Sequence, residues 1–192
     1  MVKMLNPIQN RWVEGSILYD GTQLRSGWIK EMAGLKGNAV AAFQGGADVP
    51  IENMVDLEDV ARNAPIFSEA MLHFLVEIFD RDLEKMVLRQ RLLIAIIEME
   101  LKKFPQCQNI RREGDDLYDN QAKLSVSIAT SSPVSCLIHT GLNISSRNTP
   151  VLTKGLNDYD LAPKPLALKI MEQFASELES VKQACTKVRP VS

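Results

Sequence analysis

The sequence has little of what usually fixes a protein's chemistry at first reading. Its 192 residues include three cysteines and two histidines. Cys107, Cys136 and Cys185 are odd in number and scattered, with no Cys-x-x-Cys spacing, which argues against a disulfide framework and against a structural zinc site. Cys136 and Cys185 are expected as small buried apolar residues, one on a strand and one on a helix. Neither sign of charge is in excess: 22 basic against 24 acidic residues leave a net charge of −2, so no field of the whole molecule draws it to nucleic acid or to an anionic membrane. The longest strongly apolar run, residues 92–97, is far too short to span a bilayer. The amino-terminal stretch, with Lys3, Asn6, Pro7, Gln9 and Asn10, lacks the apolar centre of a secretory signal, and a cytoplasmic protein is expected. There is no phosphate-binding P-loop, no Gly-x-Gly-x-x-Gly, no His-Glu-x-x-His zinc helix and no Gly-x-Ser-x-Gly elbow, and neither an internal repeat nor a low-complexity tract.

What is present is an ordinary globular composition. Apolar residues make up 45% and charged residues 24%, which suits one domain over residues 1–192 with its own core. The first third reads as short strands and turns: a strand over 16–19, a turn at Asp20-Gly21, a short helix over 24–32 closed by Gly34, and a buried strand over 39–43 that runs into Gly45-Gly46 and returns over 54–57. From Pro65 the pattern predicts a helix with Ser68 as N-cap, because Met71, Leu72, Leu75, Val76 and Phe79 recur at i, i+3, i+4. His73 then lies within it, with Glu69 or Glu77 one turn away as partner. A second helix is expected over 83–103, apolar nearly all round at 92–97, a segment that suits a core or a homodimer contact. Residues 116–118, 123–130 and 134–144 read as a meander of strands, and a closing helix is expected over 166–186. Strands, two helices, strands and a helix in that order argue for an α+β fold with a mixed, mostly antiparallel sheet.

One segment carries chemistry. Asp116-Leu117-Tyr118, a turn, and Lys123-Leu124-Ser125-Val126-Ser127-Ile128 are followed by His139-Thr140-Gly141-Leu142-Asn143, and this order resembles the adenylate-facing hairpin of the lipoate and biotin protein ligases. Gly45-Gly46-Ala47-Asp48 stands where that family has a Gly-rich hairpin. The chain also looks like an uncharacterised, chiefly archaeal protein family with the same fold, on the phrases Ala42-Phe43-Gln44-Gly45, residues 56–59 and residues 65–74. The resemblance implies a ligase-like or acyltransferase-like protein that binds a small carboxylic acid or acyl-adenylate, with ATP and Mg²⁺ as the cofactors of such chemistry. It makes Lys123 an electrostatic catalyst, since a lysine at the head of a strand can meet a carboxylate or an α-phosphate. It assigns Gly45 and Gly46, where no β-carbon intervenes, to an anion cradle with Asp48 beside it. Gly141 leaves room beside the sheet, His139 and Asn143 line the acyl pocket with His139 also a candidate acid or base, and Arg112 can clamp a phosphate.

Each residue has a plainer role to set against this one. Lys123 can flank a turn as a solvated charge, and His139 can be a buried histidine bonded to backbone. Where the ligases place arginine near the Gly-rich hairpin, this chain has Phe43-Gln44, and Ser125, Val126 and Ser127 replace a glycine after the lysine. These departures favour the alternative: a non-catalytic small-molecule-binding or assembly protein that kept the fold and lost the nucleotide site. The acidic stretch Asp48, Glu52, Asp56, Glu58 and Asp59 reads as a solvated loop, or as a site for a divalent ion or a cationic substrate.

Overall fold

A computed structural model describes residues 8–191. Residues 1–7, on which the expectation about a secretory signal bears, and residue 192 lie outside the described residues. In chain order the elements are β1 (Gln9–Ser16), α1 (Trp28–Ala33), β2 (Ala39–Val49), α2 (Leu57–Arg62), β3 (Ile66–Ile78), α3 (Leu83–Leu101), β4 (Ile110–Glu113), β5 (Asp116–Asp119), β6 (Ala122–Lys123), β7 (Ser125–Ser131), β8 (Cys136–Asn143) and α4 (Pro163–Thr186). The main sheet has the order β1-β2-β3-β8-β7, with β1 parallel to β2 and the other neighbours antiparallel. A second, three-stranded sheet, β4-β5-β6, leads into it at Leu124. The architecture is the expected α+β type.

The longest departure from the sequence reading is β3. Residues 66–78 form a strand, and the helix expected from Pro65 is absent. Its inner residues from Met71 to Ile78 are all buried, because β3 sits in the middle of the sheet with both faces covered. A strand covered on both faces reads as a continuous apolar run, and such a run matches a helical template by chance. The return strand expected over 54–57 is also displaced: that stretch leads into α2, where Asp56 caps by accepting from the Glu58 and Asp59 amides. The true partner of β2 is β3, in register Ala42↔Phe74 and Phe43↔His73.

Alternation across the strands divides the molecule into layers. Val40 and Ala42, Leu72, Phe74 and Val76, and Ile138 and Leu142 face α3 and α4, forming the larger core with Leu93, Ile94, Ile97, Ile170 and Phe174. Residues 92–97, compatible on sequence with a contact between copies, are largely spent on this core: Leu93, Ile94, Ile96 and Ile97 are buried within the chain. The opposite face carries Ala39, Ala41, Phe43 and Leu75 and is covered by α1 through Trp28 and Ile29. Gly34 ends α1 in the left-handed conformation at φ 68°, as its position predicts. Cys136 is buried, whereas Cys185, near the end of α4 where that helix leaves the core, is exposed.

Beyond β1 the chain continues along β2, with the Ile17 amide donating to Gln44 O at 3.0 Å and the Tyr19 amide to Gly46 O at 2.9 Å. This crossing depends on Gly45: a β-carbon there would collide with the Ile17 carbonyl. Gly45→Ala is expected to lower stability by about 2–3 kcal/mol, read as a lower midpoint in urea. An unchanged midpoint would mean that residues 17–19 do not lie against β2.

Candidate functional site

The short α1 covers only part of the second face. Over β7 and β8 that face opens into a cleft, bounded by residues 53–66 on one side and by the β4-β5-β6 sheet on the other. The cleft has two lobes of about 340 and 380 Å³. Lys123, Asp59, Ile66 and Val126 line both. Lys123 ends β6, and its ammonium lies 2.7 Å from Asp116 Oδ2 across the hairpin, with both side chains largely covered. Burial opposes the charge on Lys123, but the contact with Asp116 outweighs it and holds the ammonium above its ordinary range. Burial pushes Asp116 up. Lys123 draws it back, Asp115 and Asp59 push it up again, and it stays above the ordinary carboxylate value. Burial is the largest of these influences on Asp116, and the negative charges of Asp115 and Asp59 add to it.

His139 forms the floor of the first lobe. It is buried on β8 and pairs with the chain's other histidine, His73 of β3, at 3.1 Å between His139 Nε2 and His73 Nδ1. His73 Nε2 lies 3.3 Å from the Gly45 carbonyl oxygen. A carbonyl oxygen only accepts, so His73 carries its proton on Nε2 and offers the bare Nδ1. His139 then donates through Nε2, and its own Nδ1 is left as an acceptor. Tyr19 stacks on the His139 ring at 3.7 Å between centroids and 10° between planes, and Phe43 stacks on His73. Burial lowers His73 to about 4 and lowers His139 well below the usual imidazole range, so both rings are neutral at pH 7. His73 thus sits on a strand, with a histidine and a carbonyl as partners. Glu77, expected beside it, instead accepts from Ser26, Ser135 and the Gly27 amide.

Of the residues singled out in the sequence, Lys123 and His139 line the first lobe, and Lys123 and Asn143 the second. Asn143 Nδ2 also reaches the Lys123 and Lys154 carbonyls at 3.4 Å. Gly141 lies between them on β8, and the space a β-carbon would need there is taken by Met71 Cε at 2.7 Å and Val126. Gly45 and Gly46 are interior residues of β2, packed between β3 and residues 17–19. Asp48 is exposed at the far end of β2. Arg112 is exposed on β4, where Nη1 donates to the Gly114 carbonyl at 2.8 Å. Tyr19 and Val126 escaped the sequence reading as site residues. Their only local signal is strand alternation, and the crossing of residues 17–19 over β2 gives no separate sign in the sequence. Among the described residues no three His, Cys, Asp or Glu side chains group to hold a metal ion, and no helix is long and apolar enough to cross a membrane.

The sequence profile of a family described as a domain of unknown function (DUF366) matches residues 8–189. The uncharacterized protein MJ0805 of Methanocaldococcus jannaschii is 31% identical, over 94% of this chain and 84% of that protein. A solved structure described as a protein of unknown function from Pyrococcus horikoshi superposes with a TM-score of 0.88 at 33% identity, covering 96% of this chain and all of the other. Biotin protein ligase from Aquifex aeolicus, in complex with biotin and ATP, superposes at 0.59 with 17% identity, over 91% of this chain and 72% of the enzyme, a likeness of fold.

The neutral histidine pair makes stability depend on pH with a definite sign. The unfolded chain takes up protons near pH 6.5 and the folded chain does not until about pH 4 for His73, so stability falls as pH drops through this window. The slope is up to about 1.4 kcal/mol per pH unit for each histidine. Urea unfolding at pH 7, 6 and 5 checks it, and a flat profile would contradict two buried neutral rings.

Proposed function

Because this chain belongs to the family described as a domain of unknown function (DUF366) and has the fold of the biotin protein ligases, we propose that it binds a small molecule in the two-lobed cleft without activating it through a nucleotide. The observation that carries this reading is the charge of the cleft. In the first lobe Asp56, Glu58, Asp59, Asp115 and Asp116 stand against Arg62 and Lys123 of the lining and against Arg91, which pairs with Asp115, an excess of two negative charges. Phosphate groups brought there meet repulsion, and no cluster of carboxylates stands ready to hold a bridging cation among the described residues. The features a triphosphate would use are turned to other ends. The room made by Gly45 is filled by the Ile17 backbone, and Arg112 lies outside the cleft lining, bonded to its own turn. The residues present do not fit ATP, and no adenylation step is assigned to them.

The placement of Lys123 favours a second reading. A partly buried ammonium on the wall shared by both lobes is where a carboxylate group of a ligand would be met, as in an acyl-binding site. Under the first reading Lys123 anchors such a group. Under the second it also stabilises charge that develops on it.

Two measurements test the proposal. Millimolar ATP with Mg²⁺ is expected to leave the melting temperature unchanged, whereas a ligand at a hundred times its dissociation constant adds about 2.7 kcal/mol to native stability. A stabilisation of that size would favour the ligase reading. Mass spectrometry of the purified native protein is expected to find a bound small molecule that is lost in Val126→Phe, a change that fills the shared wall. Equal retention by that variant would place the ligand elsewhere.

A further inference from the structure

We infer that the small molecule held in this cleft carries an ammonium group, received in the first lobe by Asp59 and by the bare Nδ1 of His139. The inference rests on the cleft being a small-molecule site and names the chemistry of what enters it.

Two independent features converge. The first is which carboxylate is free. Asp56 is occupied by the amides at the start of α2, and Glu58 pairs with Arg62. Asp115 takes Arg91 and the Gln90 amide, and Asp116 takes Lys123. Asp59 has no side-chain hydrogen bond or ion pair among the described residues, and it lines both lobes. Its negative charge is also one of the influences that hold Asp116 up.

The second feature is on the floor. His139 is 3% exposed and its Nδ1 has no hydrogen-bond partner among the described residues, although the ring lines the lobe. Tyr19, also 3% exposed and lining the same lobe, has a hydroxyl with no hydrogen-bond partner among the described residues. Neither His139 Nδ1 nor the Tyr19 hydroxyl is sealed from solvent, so a ligand N–H that enters the lobe can reach the lone pair of His139. Since the ring stays neutral, it presents a lone pair rather than a competing positive charge. An anion would gain nothing from this floor and would be repelled by Asp59, and a bare divalent ion finds no cluster of three ligands among the described residues. An ammonium entering the lobe meets an acceptor on its floor and a free carboxylate on its wall, while the Lys123 ammonium, which gives one hydrogen to Asp116, has others to offer a carboxylate at the other end of the molecule.

The test uses the full-length protein labelled with ¹⁵N-histidine and three probes of equal length: hexylamine, 6-aminohexanoate and hexanoate. Hexylamine and 6-aminohexanoate are expected to move the His139 Nδ1 resonance to lower frequency in a saturable way, and hexanoate is expected not to. Asp59→Asn is expected to weaken both amines about tenfold with little change in melting temperature, since Asp59 has no structural partner. A His139 signal that answers hexanoate as strongly as hexylamine, or amine affinities untouched by Asp59→Asn, would overturn the inference and leave the small-molecule reading standing. If none of the three probes moves the signal, the inference fails, and the small-molecule reading is decided by the co-purified ligand and its loss in Val126→Phe.

Discussion

The organisation of the site hangs on Gly45. Without a β-carbon at that position, the backbone at Ile17 can lie against β2, and this crossing delivers Tyr19 onto the face of His139. The carbonyl of the same residue only accepts hydrogen bonds, so it sets the tautomer of His73, and His73 in turn sets the tautomer of His139. A backbone oxygen in the middle of the sheet thereby decides that an acceptor, and not a donor, faces the cleft. The stacked rings of Phe43, His73, Tyr19 and His139 hold that polarity in a packed, desolvated environment where it cannot easily reverse.

The larger architecture makes this possible by covering the sheet unequally. α3 and α4 close one face along its width and supply most of the apolar burial, each fully buried Leu, Ile or Phe contributing about 1.5–3 kcal/mol. The other face has the six-residue α1 over part of its width, and the remainder is left to the cleft. The fold can therefore tolerate polar and charged side chains on β7, β8 and the neighbouring hairpin, because its stability is secured on the opposite side. This also accounts for a chain that shares the ligase fold at 17% identity: the packed layer preserves the fold, and the open face is free to change.

What could be read from the sequence follows the same division. α3 was legible because its apolar pattern is long, and β7 because Leu124, Val126 and Ile128 alternate with small or polar residues. The closing helix, the glycine end of α1 and the ligase-like fold were legible as well. β3 was not, since burial on both faces erased the alternation that marks a strand. Within the site, Lys123, His139 and Asn143 stood out as chemical residue types on a recognisable hairpin. Their partners did not. The link of His139 to His73, and of both to Gly45 and Tyr19, arises from strand pairing between distant segments. Nor does sequence distinguish Gly45 as a place where backbone crosses from Gly45 as a place where a ligand approaches.

The most direct test of this account is the protonation state of the two histidines in the ligand-free protein, observed by long-range ¹H–¹⁵N correlation of the imidazole rings at pH 7. Both are expected to be neutral with the proton on Nε2, as the Gly45 carbonyl requires. A proton on Nδ1 of His139, or an imidazolium at either position, would contradict it.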